Sequence, residues 1–479
     1  MDRRQFLKNS TAAAVLGWSH FAGIGPRPGV RASAPNILLF LIDDLGWGDV
    51  GFHDGVNRTP VIDRMAKSGV ELTQHYVCPQ CSPTRLSLLT GRYSSRFGIN
   101  AATNDPTMPL GTLTLASALK SCGYQTALTG KWHLGSDFGH GPNLYGFDHS
   151  YGNMTGACHP WDHTYRPGKF ERTWHRNGVR VDEKGHTTDL ISGEAVRWLE
   201  ARGDRPWFLY VPFTAVHLPV DAPRPWIDLY KDVRFDKNPV LDESKRRYAA
   251  MVSHMDDAVG RIVAAVDRKG LLENTIIVFF SDNGSFTLKE GSGGEYGGNP
   301  PLLSYATGSN GPLRGEKSTT YEGGIRVPAF AYWKGRLSPR KVTTPTAAVD
   351  WMPTLLSAAR CKPTVDPGRN GLDILRLLTG EVTGPEARTI YTRYEDGMNA
   401  LRDGDWKLVT LGTSAWARGL MPGDDRSPQL FNIAKDPFET NNLARLRPDV
   451  LTRLSQKLAD EKALDEREKR RIWRETSSR

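Results

Sequence analysis

The 479-residue chain reads as an α/β protein: one large, mostly parallel central sheet sandwiched by helices, then a smaller C-terminal domain with a short antiparallel sheet and a helix. Three observations predict this. Short apolar runs without alternation, such as Asn36 to Ile42 and Thr275 to Phe280, read as strands buried on both faces. Helical patterns alternate with these runs, which requires crossover connections and parallel pairing. Beyond residue 385 the pattern changes to closely spaced short strands: Thr389 to Tyr394, Ala400 to Arg402, Trp406 to Val409 and Gln429 to Ile433. A charged helix follows from about Pro448.

The intervening elements follow from their punctuation. Thr59-Pro60 opens a helix through Lys67, and Gly69 stops it. A β-like segment, Val70 to Tyr76, precedes a second helix, with Ser82 as N-cap, Pro83 as first helical residue and Gly91 as stop. Thr114 caps a helix ending at Gly123, and Gln125 to Thr129 forms the next strand. A helix around Leu190 to Ala201 precedes the strand Trp207 to Val211, and a long amphipathic helix, about Ser244 to Lys269, precedes Thr275 to Phe280. A further helix covers about Asp350 to Ala359.

Composition sets outer limits. With 39% hydrophobic and 24% charged residues the chain is an ordinary globular one, and 48 Gly and 31 Pro indicate many loops. Residues 1–32 have the shape of a twin-arginine export signal, with Arg3 and Arg4 before a weakly apolar run too short and too rich in small residues to span a bilayer. The implied organisation is signal 1–32, catalytic α/β domain 33–384 and C-terminal subdomain 385–479, with export to the periplasm or beyond and no stable membrane insertion. Five basic residues against one acidic residue in the signal take four of the +9 net charges, leaving +5. Those charges are dispersed and give no nucleic-acid stripe. Five cysteines show no disulfide framework, and a core this large needs no staples, so no disulfide is expected.

Chemistry concentrates at strand ends. Asp43, Asp44, Lys131, His133, His217, Asp282 and Asn283 all lie just past the carboxyl end of an expected strand, where one parallel sheet collects ligand-binding groups. Asp43, Asp44, Asp282 and Asn283 form an all-oxygen set that favours a hard divalent cation, calcium first and magnesium second. The segment Cys81-Ser82-Pro83-Thr84-Arg85 places a thiol at a helix mouth with an arginine about one turn on, a site suited to an oxyanion. Its plainer reading, a Cys78-x-x-Cys81 redox or zinc pair, leaves Pro83 and Arg85 unexplained.

Cys-x-Pro-x-Arg followed by Thr90-Gly91-Arg92 resembles the signature of the type I sulfatases of the alkaline phosphatase-like superfamily. The resemblance spans Asn36 to about Asp465. It implies that Cys81 is converted to formylglycine by a formylglycine-generating enzyme, and that its hydrate attacks sulfur. It further implies Asp43, Asp44, Asp282 and Asn283 as metal ligands, with residue 81 completing the shell. Lys131 and Lys317 match sulfate-contacting lysines, Arg85 the residue holding the hydrate and nearby carboxylates, and Asp282 the group that assists deprotonation. His133 matches the base that frees the sulfate, and His217 a general acid with Lys317 as competitor.

The insertion between Gly135 and Arg180 mixes aromatic and basic residues, which suits sugar stacking and pairing with sulfates. Trp161 and His163 are the candidate substrate contacts there, and a sulfated carbohydrate is the favoured substrate. The glycine-rich Ser285 to Asn310 loop reads as a mobile rim. Three alternatives stand beside this reading: a phosphate or phosphonate ester hydrolase, a non-catalytic binder of sulfated glycans, and a simple arylsulfatase.

Overall fold

The strand Asn36–Ile42 is buried along its whole length and divides two apolar layers. Leu38, Phe40 and Ile42 face one layer beside Ile277 and Phe279, covered by helices Pro60–Ser68, Thr187–Glu200 and Pro239–Arg268. Ile37, Leu39 and Leu41 face the other beside Ile276, Val278 and Phe280, under helices Cys81–Thr90, Leu115–Ser121 and Trp351–Ala358. Each fully buried large side chain contributes about 1.5–3 kcal/mol, so these layers pin the central register firmly. The computed structural model describes residues 34–479 apart from 288, 291–304, 363–367, 385–387, 413–425 and 478–479. The expected signal, residues 1–32, and much of the glycine-rich loop therefore lie outside the described residues.

Across the ten-stranded sheet the order is Arg340–Val342, Val70–Leu72, Ala329–Tyr332, Thr275–Ser281, Asn36–Ile42, Trp207–Pro212, Gln125–Thr129, His149–Gly152, His175–Arg176 and Val179–Arg180. The five strands from Thr275–Ser281 to His149–Gly152 run parallel, and antiparallel pairs appear toward both edges. Ile42 pairs with Ser281, and Leu41 with Pro212. Asp43, Asp282 and the segment leading to His217 consequently leave the sheet at one edge. No helix among the described residues is long and apolar enough to cross a membrane.

Several boundaries differ from expectation. The second helix spans Cys81–Thr90 with Gln80 as N-cap, so Cys81 is itself the first helical residue and Ser82 does not cap. The Ser82 hydroxyl instead accepts from Thr103 N at 3.2 Å, and Pro83 is tolerated because first-turn N–H groups lack intrahelical partners. Gly91 ends the helix in the left-handed region, φ 66°. The long helix starts at Pro239, one turn early, because Asn238 caps Val240 N. Part of the Gly135 to Arg180 insertion forms three sheet-edge strands, too short to carry a period-2 signal.

The expectation of no disulfide is corrected: Cys122 and Cys361 are bonded, with Cα atoms 5.8 Å apart. Cys122 is the C-cap of Leu115–Ser121, and Cys361 follows Trp351–Ala358 on the same layer, so packing rather than spacing brings them together across 239 residues. Cys78, Cys81 and Cys158 are free thiols. A four-stranded antiparallel sheet, in the order Thr389–Arg393, Asn399–Asp403, Trp406–Thr410, Gln429–Asn432, packs with the helix Pro448–Ser477. Arg92 pairs with Glu468 of that helix at 3.2 Å, and Arg96 pairs with its Asp465. Replacing Cys122 and Cys361 together by alanine is expected to cost about 2–4 kcal/mol, read as a lower midpoint of urea unfolding.

Candidate active site

Each strand end delivers its polar residues through a short backbone latch. Asp43 N donates to Ala215 O at 3.0 Å and Val216 N to Asp43 O at 2.8 Å, tying the Asp43-Asp44 turn to the His217 segment. Lys131 N donates to Pro212 O at 2.7 Å, and His133 N to Met154 O at 3.0 Å. The Ser281 hydroxyl accepts from Leu45 N at 2.9 Å and donates to Asn283 O at 2.8 Å, joining the two acidic turns. Asp44 and His133 have positive φ, 65° and 56°, an uncommon conformation for residues other than glycine that marks a constrained site.

Within this frame the expected residues converge. Arg85 is fully buried and directs Nη2 and Nε at Asp282 Oδ2, at 2.7 and 3.1 Å, while Nη1 donates to Lys131 O at 2.9 Å. Lys131 Nζ lies 2.6 Å from Asp43 Oδ2, and Lys317 Nζ 2.6 Å from Asp44 Oδ1. Asn283 Nδ2 donates to the same Asp44 oxygen at 2.7 Å. Cys81 Sγ contacts His133 Nδ1 at 3.2 Å, and His217 Nε2 lies 3.7 Å from Asp44 Oδ2. Trp161 and His163 make their polar contacts within and beside the insertion. Trp161 donates to Asp221 at 2.8 Å, and His163 meets Gly185 O at 2.9 Å while stacking on Trp174. With Arg172, Arg180 and Lys184 they line a cavity of about 260 Å³.

Three carboxylates, Asp43, Asp44 and Asp282, thus face three cations, Arg85, Lys131 and Lys317. Burial pushes the Asp43 carboxyl up to about 7, against the pull of Lys131 and with help from Asp282 and Asp44. Burial opposes ionisation of Asp44 too, but Lys317, His217 and Asn283 outweigh it and hold that carboxyl below its usual range. Burial and Lys317 depress His217 to about 3, while its Nδ1 meets Leu218 O at 2.7 Å. With Nδ1–H donating to that carbonyl, the neutral imidazole presents Nε2 as an acceptor. Burial, with Lys131 and Arg85, keeps His133 neutral. Burial also raises the Cys81 thiol against Lys131 and Lys317, so it stays protonated and is a poor nucleophile as it stands.

Ligand atoms of Asp43, Cys81 and Asp282 lie within 4.8 Å of one another, as do those of Asp43, Asp44 and His217. Asp43 Oδ1 and Asn283 Oδ1 are buried without a hydrogen-bond partner. Unsatisfied buried oxygens in an acidic set fit a hard divalent cation.

The sulfatase family model matches residues 35–361, more than half of the chain. The chain belongs to the sulfatase family. It is 31% identical to mouse arylsulfatase J over 89% of this chain and 75% of that one. It is 32% identical to dog N-acetylgalactosamine-6-sulfatase over 89% of this chain and 85% of the relative. Among solved structures, Ps i-CgsB in complex with k-i-k-neocarrahexaose is similar at a TM-score of 0.76 and 29% identity, covering 90% of this chain and 94% of that chain. A phosphonate monoester hydrolase of Agrobacterium radiobacter, at a TM-score of 0.60 and 20% identity over 90% of this chain and 96% of that chain, shares the fold alone. This sulfatase is a sulfuric ester hydrolase, and its large sheet with a four-stranded appendage is the alkaline phosphatase-like fold.

Two contributions escaped the sequence. Ser281 ends the strand before Asp282 without a local signal of its own, and Gly156 shows none either. A Cβ at Gly156 would come 2.6 Å from His133 Nε2, so only glycine lets this loop lie on the imidazole. Because Arg85 compensates a buried carboxylate, Arg85→Met is expected to destabilise the metal-free protein by about 3–5 kcal/mol, measured by denaturant unfolding after chelation.

Proposed function

We propose that this sulfatase releases inorganic sulfate from a sulfated carbohydrate, using formylglycine made from Cys81 and a divalent cation, calcium in preference to magnesium. One observation carries the reading: residue 81 touches a neutral histidine and lies among carboxylate oxygens at the same sheet edge. The carbohydrate assignment is supported by two similar proteins, the N-acetylgalactosamine-6-sulfatase and the structure holding k-i-k-neocarrahexaose.

Formylglycine supplies an oxygen nucleophile for displacement at sulfur that a buried thiol does not. Asp43, Asp44, Asp282 and Asn283, with residue 81, would hold the cation, and it would supply charge that relieves carboxylate repulsion. Arg85 fixes Asp282 as a two-pronged partner, a task lysine's point charge performs poorly. Lys131 and Lys317, paired here with Asp43 and Asp44, would turn their ammonium groups to the sulfate oxygens once those carboxylates were engaged as ligands. His133 Nδ1, neutral beside residue 81, accepts the proton that restores the side chain, and Asp282 assists the first deprotonation. Burial disfavours the Lys317 ammonium, but attraction to Asp44 outweighs it and keeps the group protonated, so Lys317 carries a proton for the leaving alcohol, with His217 facing the same region.

Trp161 and His163 contribute a wall for the sugar beside Arg172 and Arg180. The Arg3-Arg4 segment directs export by the twin-arginine route after a formylglycine-generating enzyme has acted on Cys81.

Peptide mass at residue 81 should show conversion in the active protein. Cys81→Ser, made in a host that does not convert serine, should lose turnover of a sulfate ester by more than about a thousandfold. Full activity of that variant would refute the covalent role. Chelation is expected to abolish turnover and lower the melting temperature, with calcium restoring both better than magnesium. Faster cleavage of a phosphate than of a sulfate ester of the same alcohol would favour the phosphohydrolase alternative.

A further inference from the structure

Gln80 directly precedes Cys81, and Ser318 directly follows Lys317. Gln80 has an extended backbone at the helix start, yet its side chain does not cap the helix. Its Oε1 accepts from Ala102 N at 2.6 Å, and its Nε2 donates to Ser318 Oγ at 2.9 Å and to the Tyr394 hydroxyl at 2.6 Å. A backbone N–H only donates, so Ala102 fixes which way the amide faces and commits Nε2 to the two hydroxyls. Ser318 N also donates to Pro79 O at 2.9 Å. The chain before residue 81 and the chain after Lys317 are thereby tied twice, once through main chain and once through the amide.

Ser318 is held at φ 71°, a region that costs energy for a residue with a Cβ and persists only where its surroundings enforce it. Tyr394 is 2% exposed and follows the strand Thr389–Arg393, so the third member of the set comes from the C-terminal sheet. Lys317 N donates to Ser285 O at 3.2 Å, which places the same segment against the Asp282-Asn283 turn. The Lys317 segment therefore has one support at the acidic turn and another at the helix carrying residue 81.

We propose that Gln80, Ser318 and Tyr394 form a clamp that sets the Lys317 ammonium relative to residue 81, with Gln80 as the positioning residue. This rests on the roles given above to residues 81 and 317. A long ammonium side chain has no rigidity of its own, so its aim depends on how its backbone is anchored. A misplacement of about 1 Å in such a group costs up to about 100-fold in rate.

The test is a double-mutant cycle on turnover of an aryl sulfate, with conversion at residue 81 quantified by peptide mass for every variant. Gln80→Leu is expected to lower kcat/KM about tenfold or more when Lys317 is present, and by less than about threefold in a Lys317→Ala background. A purely structural role would give the same fold-loss in both backgrounds. That result, or undiminished activity of converted Gln80→Leu, overturns the clamp. Should Gln80→Leu fail to fold, Tyr394→Phe and Ser318→Gly replace it under the same criterion. Amide exchange supplies a readout independent of turnover: the segments 79–84 and 314–320 should exchange faster together in the Gln80 or Tyr394 variant. Loosening of only one segment, or of neither, overturns the proposal. Absence of sulfate-ester turnover in converted wild-type protein would sink the functional reading instead, and exchange alone would then decide the clamp.

Discussion

The in-register pairing of Ile42 with Ser281 brings Asp43 and Asp282 out of adjacent strands side by side, and buried carboxylates at such spacing require compensation. Arg85, Lys131 and Lys317 provide it, each from a different part of the chain. A buried ionic cluster is a weak source of stability, because desolvation offsets much of the Coulomb attraction. The apolar layers on both faces of the sheet stabilise the fold and thereby hold the cluster in place.

The same logic accounts for the backbone. Asp44, His133 and Ser318, in or beside the acidic cluster, hold positive φ. Each is fixed by main-chain hydrogen bonds at its own position or next to it: Asp43 with Ala215 and Val216, His133 with Met154, Ser318 with Pro79. Rigid neighbours let the turns adopt conformations that a free loop would abandon. A fixed backbone leaves only the Lys131 and Lys317 side chains to move as the substrate anion arrives, and such preorganisation is where sites of this kind gain rate.

The sequence made the central strands legible because continuous apolar runs ending in Asp-Asp or Asp-Asn encode burial and strand end together. That is why the sequence alone assigns Asp43, Asp44, Asp282 and Asn283 to one edge. Lys317 came only through the family resemblance, since nothing local to Gly315-Glu316-Lys317 indicates a site. The Cys122–Cys361 bond, the edge strands around His175 and the Gln80 contacts were illegible for another reason. Each depends on tertiary proximity between segments tens to hundreds of residues apart, which neither period nor spacing encodes. The expected start of the Cys81 helix lies two residues late because Ser82 is a strong capping type, and its competing bond to Thr103 is long-range.

The C-terminal sheet is part of the site's support rather than an appendage to it. Lys407, fully buried on the strand Trp406–Thr410, lies 2.8 Å from both Glu322 and Glu439, themselves fully buried. Glu322 N donates to Glu439 Oε2 at 2.7 Å, and Glu322 Oε2 accepts from the Tyr76 hydroxyl at 2.8 Å. Glu322 closes the segment that carries Lys317, and Tyr76 lies in the strand leading to Cys81. Without the C-terminal sheet, Glu322 would lose Lys407 at 2.8 Å and be left with the longer 3.4 Å pairing with Arg326, and the apolar partners around Tyr76 would face water. A buried carboxylate stripped of its nearest counter-ion is destabilising on the scale of a domain's net stability. The large sheet therefore depends on its smaller neighbour to hold the segments of residue 81 and Lys317, and the support of the site extends through both.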